Sequence, residues 1–439
     1  MERKLSEATS DSAQSYICLR LHDAWFKTNQ PKSREYAEKA LELVKHSDYW
    51  LLKGKTYQAL ARCERKTRNY KKVFPFDSLS LSCAKKANDS NAVFSANMLL
   101  ARDNLDAEIF PTAFVCLQQC EAISNITKLP AQVAVLNQTL GFYYAQTNRH
   151  KLAIPCYEKA IPAFAAIKND YMVAECKFFM VQSMLALGKT TNAANYVFEA
   201  LDTYKKLNSA VSQGQCYELL ASIYLAEGDV QKGIDYSLQA KDFYSAHNNK
   251  IDYALVTFDL VRALLLQKKY TVAATYIAEA DSIFNALDYM PGKIRLKTLQ
   301  GQFYSETGKY ELADRYFAEA AVLIKANDLP DVKTEQDKYL AAHQYRLKNY
   351  KAADSLTYAY SSRQAREKEP EVLAIELNTL YKRNKNLDST AFKLLKLLYV
   401  PGGPEMLKKK LGNKSLLSVL PVDSLLNNNP FSLAPPAYD

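Results

Sequence analysis

Small residues recur along the chain every 40 positions, and nine of them keep one register with no insertion or deletion. This set consists of Ser33, Val73, Ala113, Ala153, Ala193, Gly233, Ala273, Ala313 and Ala353. A second set lies seven residues later, from Ala40 to Tyr360, and a third lies twelve residues earlier, from Leu21 to Ala341. Side chains four and seven residues apart lie on one face of an α-helix. The pattern therefore predicts about nine antiparallel helix pairs that approach closely where their small residues meet.

Turn-forming residues separate the predicted helices. Glycine is central in segments 187–189, 227–229 and 307–309, and polar segments such as 168–170 and 247–249 divide one pair from the next. A single pair cannot bury its apolar face alone, so we expect the pairs to stack into an array over residues 13–365. Residues 1–12 then form an N-terminal lead-in.

One unit places Gly301, Tyr304, Gly308, Tyr310 and Ala313 in the order small, aromatic, glycine, aromatic, alanine. This order resembles the tetratricopeptide repeat, and the resemblance covers about residues 13–365. It implies an all-α, right-handed superhelical solenoid whose concave groove binds a protein or peptide. The usual unit has about 34 residues, and we expect the additional residues in the second helix and its loop. A period near 40 also fits HEAT-type repeats, which remain the alternative.

Long units of this kind also resemble the sensor arrays of bacterial signalling regulators, where the array precedes a kinase or a DNA-binding domain. The segment after residue 365 is too short for a kinase and has no clear helix-turn-helix pattern. We therefore expect a protein- or peptide-binding scaffold or, alternatively, a sensor array that lacks its output domain.

The segment after the array divides into two parts. Pro370 can open a helix, Leu373, Leu377 and Leu380 line one side of it, and a second apolar helix is predicted over residues 391–399. Residues 366–400 are therefore expected to cap the array. Residues 401–439 contain a short basic stretch and a Pro- and Asn-containing end, so we predict disorder, with a docking peptide as the alternative.

Composition and charge narrow the possible partners. Gly and Pro number only 12 and 15 among 439 residues, which argues against a turn-rich β protein. The net charge of +10 comes from the two ends of the chain, and its middle is about neutral. A nucleic-acid-binding array needs a basic stripe along every unit, so nucleic acid is not expected. No apolar run could span a membrane and no signal peptide opens the chain, so we expect a cytoplasmic protein, or an extracytoplasmic one if the true start lies upstream.

Catalytic and cofactor motifs are absent from the sequence. There is no GxSxG, HExxH or phosphate-binding glycine loop, and the five histidines are scattered. We therefore predict neither catalysis nor a cofactor. Cys116 and Cys120 lie one helical turn apart and could form half of a metal site, but Cys120 occupies a position where other units have alanine. Both cysteines are therefore interpreted as small core residues, and no metal is predicted.

The first helix of each pair should line the concave groove. The candidate groove residues are Lys55, Gln58, Arg62, Arg65, Met98, Arg102, Gln138, Phe142, Phe178, Arg262 and Arg295. Arg62, Arg102 and Arg262 share one repeat position, and arginines can clamp carboxylates through paired hydrogen bonds. Phe142 and Phe178 could anchor apolar side chains beside them. The hypothesis is that an acidic peptide or a C-terminal carboxylate binds there, and a solvated polar face is an equally weighted alternative.

Overall fold

The protein is represented by a computed structural model that describes residues 2–67, 69–327 and 330–366. All regular secondary structure in these ranges is α-helical. The chain divides into two compact units, the first ending at Thr127 and the second beginning at Lys128.

The first unit contains a short leading helix and three antiparallel helix pairs. Its helices are α1 (Glu2–Glu7), α2 (Asp11–Trp25), α3 (Gln30–Val44), α4 (Trp50–Arg65), α5 (Tyr70–Lys86), α6 (Ser90–Asp106) and α7 (Phe110–Thr127). Polar side chains cap several of the helix starts. The side chains of Ser10, Asn29 and Asp89 accept hydrogen bonds from backbone N–H groups three residues later. Such caps satisfy donors that the first helical turn leaves without partners.

The second unit contains six further pairs. Its helices are α8 (Pro130–Gln146), α9 (His150–Ala166), α10 (Asp170–Ala186), α11 (Ala193–Lys206), α12 (Ala210–Ala226), α13 (Val230–Ala246), α14 (Lys250–Leu266), α15 (Tyr270–Leu287), α16 (Met290–Glu306), α17 (Tyr310–Asn327), α18 (Pro330–Arg346) and α19 (Tyr350–Arg366). Consecutive helices pack against one another, and first helices of successive pairs also touch, as α10 touches α12 and α12 touches α14. This is the stacking that a solenoid requires.

The turns recur every 20 residues, so each helix and its turn form one half of the 40-residue unit. Left-handed backbone conformations mark the turns at Asn88, Glu108, Lys128, Asn148, Lys168, Gly188, Asn208, Gly228, Asn248, Lys268, Asp288, Gly308 and Lys348. After α10, the Gly188 N–H donates to the Leu185 carbonyl at 2.9 Å and the Lys189 N–H donates to the Met184 carbonyl at 2.8 Å. This is the Schellman arrangement that ends helices.

The prediction that the residues beyond the usual 34 extend the second helix of each pair and its loop is therefore wrong. Helices α2 to α19 are 14 to 18 residues long whether they come first or second in a pair. The same type of turn ends both helices of a pair, so neither the second helix nor its loop is preferentially extended.

The small residues of the repeat lie at the helix crossings. Ala153, Ala160 and Ala193 are fully buried, as are most of their equivalents. At Gly141 an added methyl group would lie 2.7 Å from the ring of Tyr157, which is itself fully buried. Gly301 meets Phe317 in the same way at 2.9 Å. The 40-residue register therefore identifies the positions where the two helices of a pair make their closest approach.

The predicted fold is confirmed for the described residues: an all-α, tetratricopeptide-like solenoid of nine helix pairs with a leading helix. The right-handed superhelix stays a prediction. The predictions of capping helices after Arg366 and of disorder over residues 401–439 lie outside the described residues.

Candidate functional site

A cleft of about 400 Å³ opens on the second unit. Three successive first helices, α10, α12 and α14, supply fourteen of its fifteen lining residues, and Tyr204 of α11 supplies the other. The lining residues are Tyr171, Glu175, Phe178, Phe179, Gln182, Tyr204, Ser212, Gln215, Glu218, Leu219, Ser222, Asp252, Leu255, Val256 and Asp259. The volume lies within the range of about 300–1,000 Å³ that is usual for ligand pockets.

The repeat register explains why these side chains converge. Glu175, Gln215 and Leu255 are 40 residues apart and occupy the repeat position that holds Lys55 in the first unit. Phe178 and Glu218 share the position of Gln58, and Gln182 and Ser222 share that of Arg62. Equivalent positions on stacked helices form parallel rows, so three rows cross the cleft floor.

The cleft is acidic. Its charged side chains are Glu175, Glu218, Asp252 and Asp259, and the lining residues include no lysine or arginine. Asn249 donates a hydrogen bond to Asp252 at 2.6 Å, and Arg262, just outside the lining, pairs with Asp259 at 3.1 Å. The cleft therefore presents an excess of negative charge to any ligand.

Glu218 lies at the centre of this charge. Burial raises the pKa of its carboxyl to about 8, and the nearby Asp252 and Asp259 carboxylates contribute to the same shift. Tyr244, which is 1% exposed, places its hydroxyl near Glu218 without a hydrogen bond of normal geometry. The cleft therefore holds a carboxyl that is mostly neutral at pH 7 and that interacts with a buried tyrosine hydroxyl behind it.

Aromatic rings form the apolar part of the cleft. Tyr171 and Tyr204 meet edge to face with their centroids 5.6 Å apart, and Phe178 and Phe179 do the same at 5.6 Å. Phe142 contacts Phe179 at 5.9 Å just beyond the cleft. Aromatic faces attract cations as well as apolar groups.

In the first unit, the predicted groove residues have mixed environments. Lys55, Arg62 and Arg102 are exposed, Gln58 is half-buried, and Met98 is buried. Arg62 pairs with Asp23 at 2.9 Å, and its guanidinium lies 3.9 Å from the centre of the Phe26 ring.

Arg65 instead belongs to a buried polar cluster. It forms two hydrogen bonds to Asp103, which is 1% exposed, and lies 3.6 Å from Asp77, also 1% exposed. Burial, with Asp103 as a second cause, raises the pKa of Asp77 well above the usual carboxyl range. A guanidinium held by two buried side chains is poorly placed to reach a ligand.

In the second unit, one of the predicted residues lines the cleft and two contact its lining. Phe178 lines it, the Gln138 side chain donates a hydrogen bond to the cleft residue Glu175, and Phe142 contacts Phe179. Arg262 pairs with Asp259 and Glu335, and Arg295 lies 3.4 Å from Glu335. Binding of an acidic peptide by the arginines stays a prediction.

A Ser–His–Asp contact chain lies in the last described pairs. His343 Nδ1 is 2.9 Å from Ser305 Oγ, and His343 Nε2 is 3.1 Å from Asp314 Oδ1. A nucleophilic serine must be reachable by its substrate, but Ser305 is 2% exposed and His343 is fully buried. The contacts therefore join α18 to α16 and α17.

The cysteines are mostly core residues. Seven of the eight thiols are buried, and Cys120 donates a weak hydrogen bond to the Phe94 carbonyl at 3.5 Å. Among the residues that the structure describes, no group of three or more His, Cys, Asp or Glu side chains could hold a metal ion. Within the same ranges, no helix has the length and apolar character needed to cross a bilayer.

The tetratricopeptide repeat family profile matches residues 134–161, within the pair formed by α8 and α9. The chain contains a tetratricopeptide repeat. A TPR repeat-containing protein of Methanocaldococcus jannaschii is 28% identical over 159 residues, which cover 35% of this tetratricopeptide repeat chain. The chain spans about a quarter of that curated relative, 26% of its length.

Solved structures of bacterial regulators share the fold. A Rap protein complexed with competence and sporulation factor aligns with a TM-score of 0.56 and 12% identity, over 81% of this chain and 99% of its own. The apo quorum sensor NprR from B. thuringiensis aligns at 0.56 and 15%, over 78% and 97%. The apo form of RapI aligns at 0.52 and 14%, over 62% and 97%. At these identities the likeness concerns the fold alone.

Proposed function

We propose that this tetratricopeptide repeat protein binds a peptide or a peptide segment of a partner protein, and performs no catalysis. The observation that carries the proposal is the cleft on α10, α12 and α14, which combines rows of side chains from successive first helices with aromatic walls. An extended peptide can follow such rows from one helix to the next, and its side chains can enter the apolar part of the cleft.

The structural neighbours support this proposal by what they bind. The Rap protein is complexed with competence and sporulation factor, and a Rap conjugation gene regulator of plasmid pLS20 is complexed with the Phr* peptide. The latter aligns over 81% of this chain at a TM-score of 0.50 and 13% identity.

A sensor role is the second candidate function. It rests on the fold shared with the quorum sensor NprR and with RapI. In this role, peptide binding would change the spacing of the stacked helices and alter the contacts of the array with an output protein. If the array is only a scaffold, peptide binding would leave the spacing of its helices unchanged.

The proposal is tested with a biotinylated pool of random hexapeptides. Ser222→Phe places a large side chain in the cleft, and Ser282→Phe makes the same change on an exposed position of α15 as its control. We expect the intact protein and Ser282→Phe to retain the same peptides and Ser222→Phe to lose them, while all three keep equal helical circular dichroism. Retention of the same peptides by Ser222→Phe would place binding elsewhere, and no retention by the intact protein would contradict the proposal.

A further inference from the structure

The cleft differs in charge from the predicted groove positions of the first unit. The repeat position that holds exposed Lys55 in the first unit holds Glu175 in the second, and the position of Gln58 holds Glu218. Asp252 and Asp259 add two carboxylates on α14. The arginine hypothesis of an acidic ligand therefore does not describe this cleft.

We infer that the second-unit cleft selects peptides with a lysine or arginine side chain, held between its carboxylates and its aromatic rings. This inference rests on the proposed function and specifies its ligand class. The four carboxylates give charge complementarity to an ammonium or guanidinium group, and they accept its N–H donors. Tyr171, Tyr204 and Phe178 provide ring faces for the aliphatic part of the same side chain and for cation–π contact.

The carboxyl groups of the cleft come from all three of its first helices. Glu175 of α10 and Asp252 and Asp259 of α14 line the same cleft as Glu218 of α12, and Arg262 pairs with Asp259. A cation placed among these groups gains attraction from several carboxylates at once, because the partly buried site screens charge less than open solvent. A carboxylate-bearing peptide would meet repulsion at the same place.

The Tyr244 hydroxyl of α13 interacts with the Glu218 carboxyl, and Tyr204 of α11 closes one side of the cleft. Since burial raises the pKa of Glu218 to about 8, a cation beside this carboxyl should ionise it and release its proton. Binding at pH 7 should therefore release about one proton per peptide.

The test uses three hexapeptide pools that contain either Lys and Arg, only neutral residues, or Asp and Glu at the variable positions. Affinity of the retained peptides is measured by calorimetry in buffers with different ionisation enthalpies. The cleft variant is Glu218→Gln with Asp252→Asn. The control is Glu227→Gln with Asp242→Asn, which makes the same two substitutions, Glu to Gln and Asp to Asn, at exposed positions outside the cleft lining.

We expect the intact protein and the control variant to retain the Lys and Arg pool and to release a proton on binding. The cleft variant should bind the same peptides about tenfold more weakly or worse, with no proton released. Equal retention of all three pools, or unchanged affinity of the cleft variant, overturns the inference and leaves peptide binding intact. Retention of no pool by the intact protein overturns the proposed function and the inference with it.

Discussion

Gly141→Ala tests the close helix crossing from which the register is built. The added methyl would lie 2.7 to 2.9 Å from three ring atoms of Tyr157, and that ring is fully buried and has little room to move. Overpacking of a core costs typically about 1–3 kcal/mol. Replacing a helical glycine by alanine returns roughly 0.5–1 kcal/mol through backbone entropy. From the midpoints of these two ranges we expect a net loss of about 1 kcal/mol in the free energy of unfolding.

Gly54→Ala is the matched control, because its methyl would make ordinary contacts of 3.4 Å with Cys83 and 3.5 Å with the Ser80 carbonyl. Thermal and urea unfolding followed by circular dichroism should show Gly54→Ala neutral or slightly stabilised. In a Tyr157→Leu background, the cost of Gly141→Ala should disappear, because the clashing ring is gone. If Gly141→Ala is as benign as Gly54→Ala in the native background, the described crossing is incorrect.

Three further predictions address other parts of the molecule. The raised pKa of Asp77 means that the folded protein binds a proton that the unfolded chain releases, so stability should fall as pH rises above the ordinary carboxyl range, and Asp77→Asn should flatten this dependence in urea unfolding. Native thiol titration should modify Cys156 first and the seven buried thiols only after denaturation; rapid reaction of several thiols would contradict the described burial. Arg62→Glu with Arg102→Glu should abolish binding of an acidic C-terminal peptide without loss of helicity, and unchanged affinity would reject the arginine hypothesis.

The fold was largely predictable because close helix crossings demand small side chains at fixed intervals. Ala153 and Ala160 mark such crossings directly in the sequence. The sequence does not reveal the 20-residue half-period, because its left-handed turn position accepts Asn and Lys as well as Gly. Asn148, Lys168 and Gly188 share that conformation, and only the glycine is a conspicuous turn residue.

The cleft was only partly predictable. The groove prediction includes the repeat positions of Lys55 and Gln58, and steps of 40 from them lead to Glu175 and Glu218 in the cleft. Asp252 and Asp259 occupy repeat positions outside the predicted groove, so the register alone does not identify them. Arg65 and Asp103 are 38 positions apart in the sequence, and their pairing depends on packing between two helices. The spacing of residues within one helix does not reveal it.

The most direct test of the central claim is photocrosslinking from within the cleft. A benzophenone amino acid replaces exposed Gln215 in one variant and exposed Ser282 of α15 in a second, and each is irradiated with the biotinylated hexapeptide pool. Peptide binding in the cleft predicts crosslinked product from position 215, loss of that product when Ser222→Phe is added, and none from position 282. Equal labelling from both positions, or labelling from position 282 alone, would contradict the cleft as the peptide-binding site.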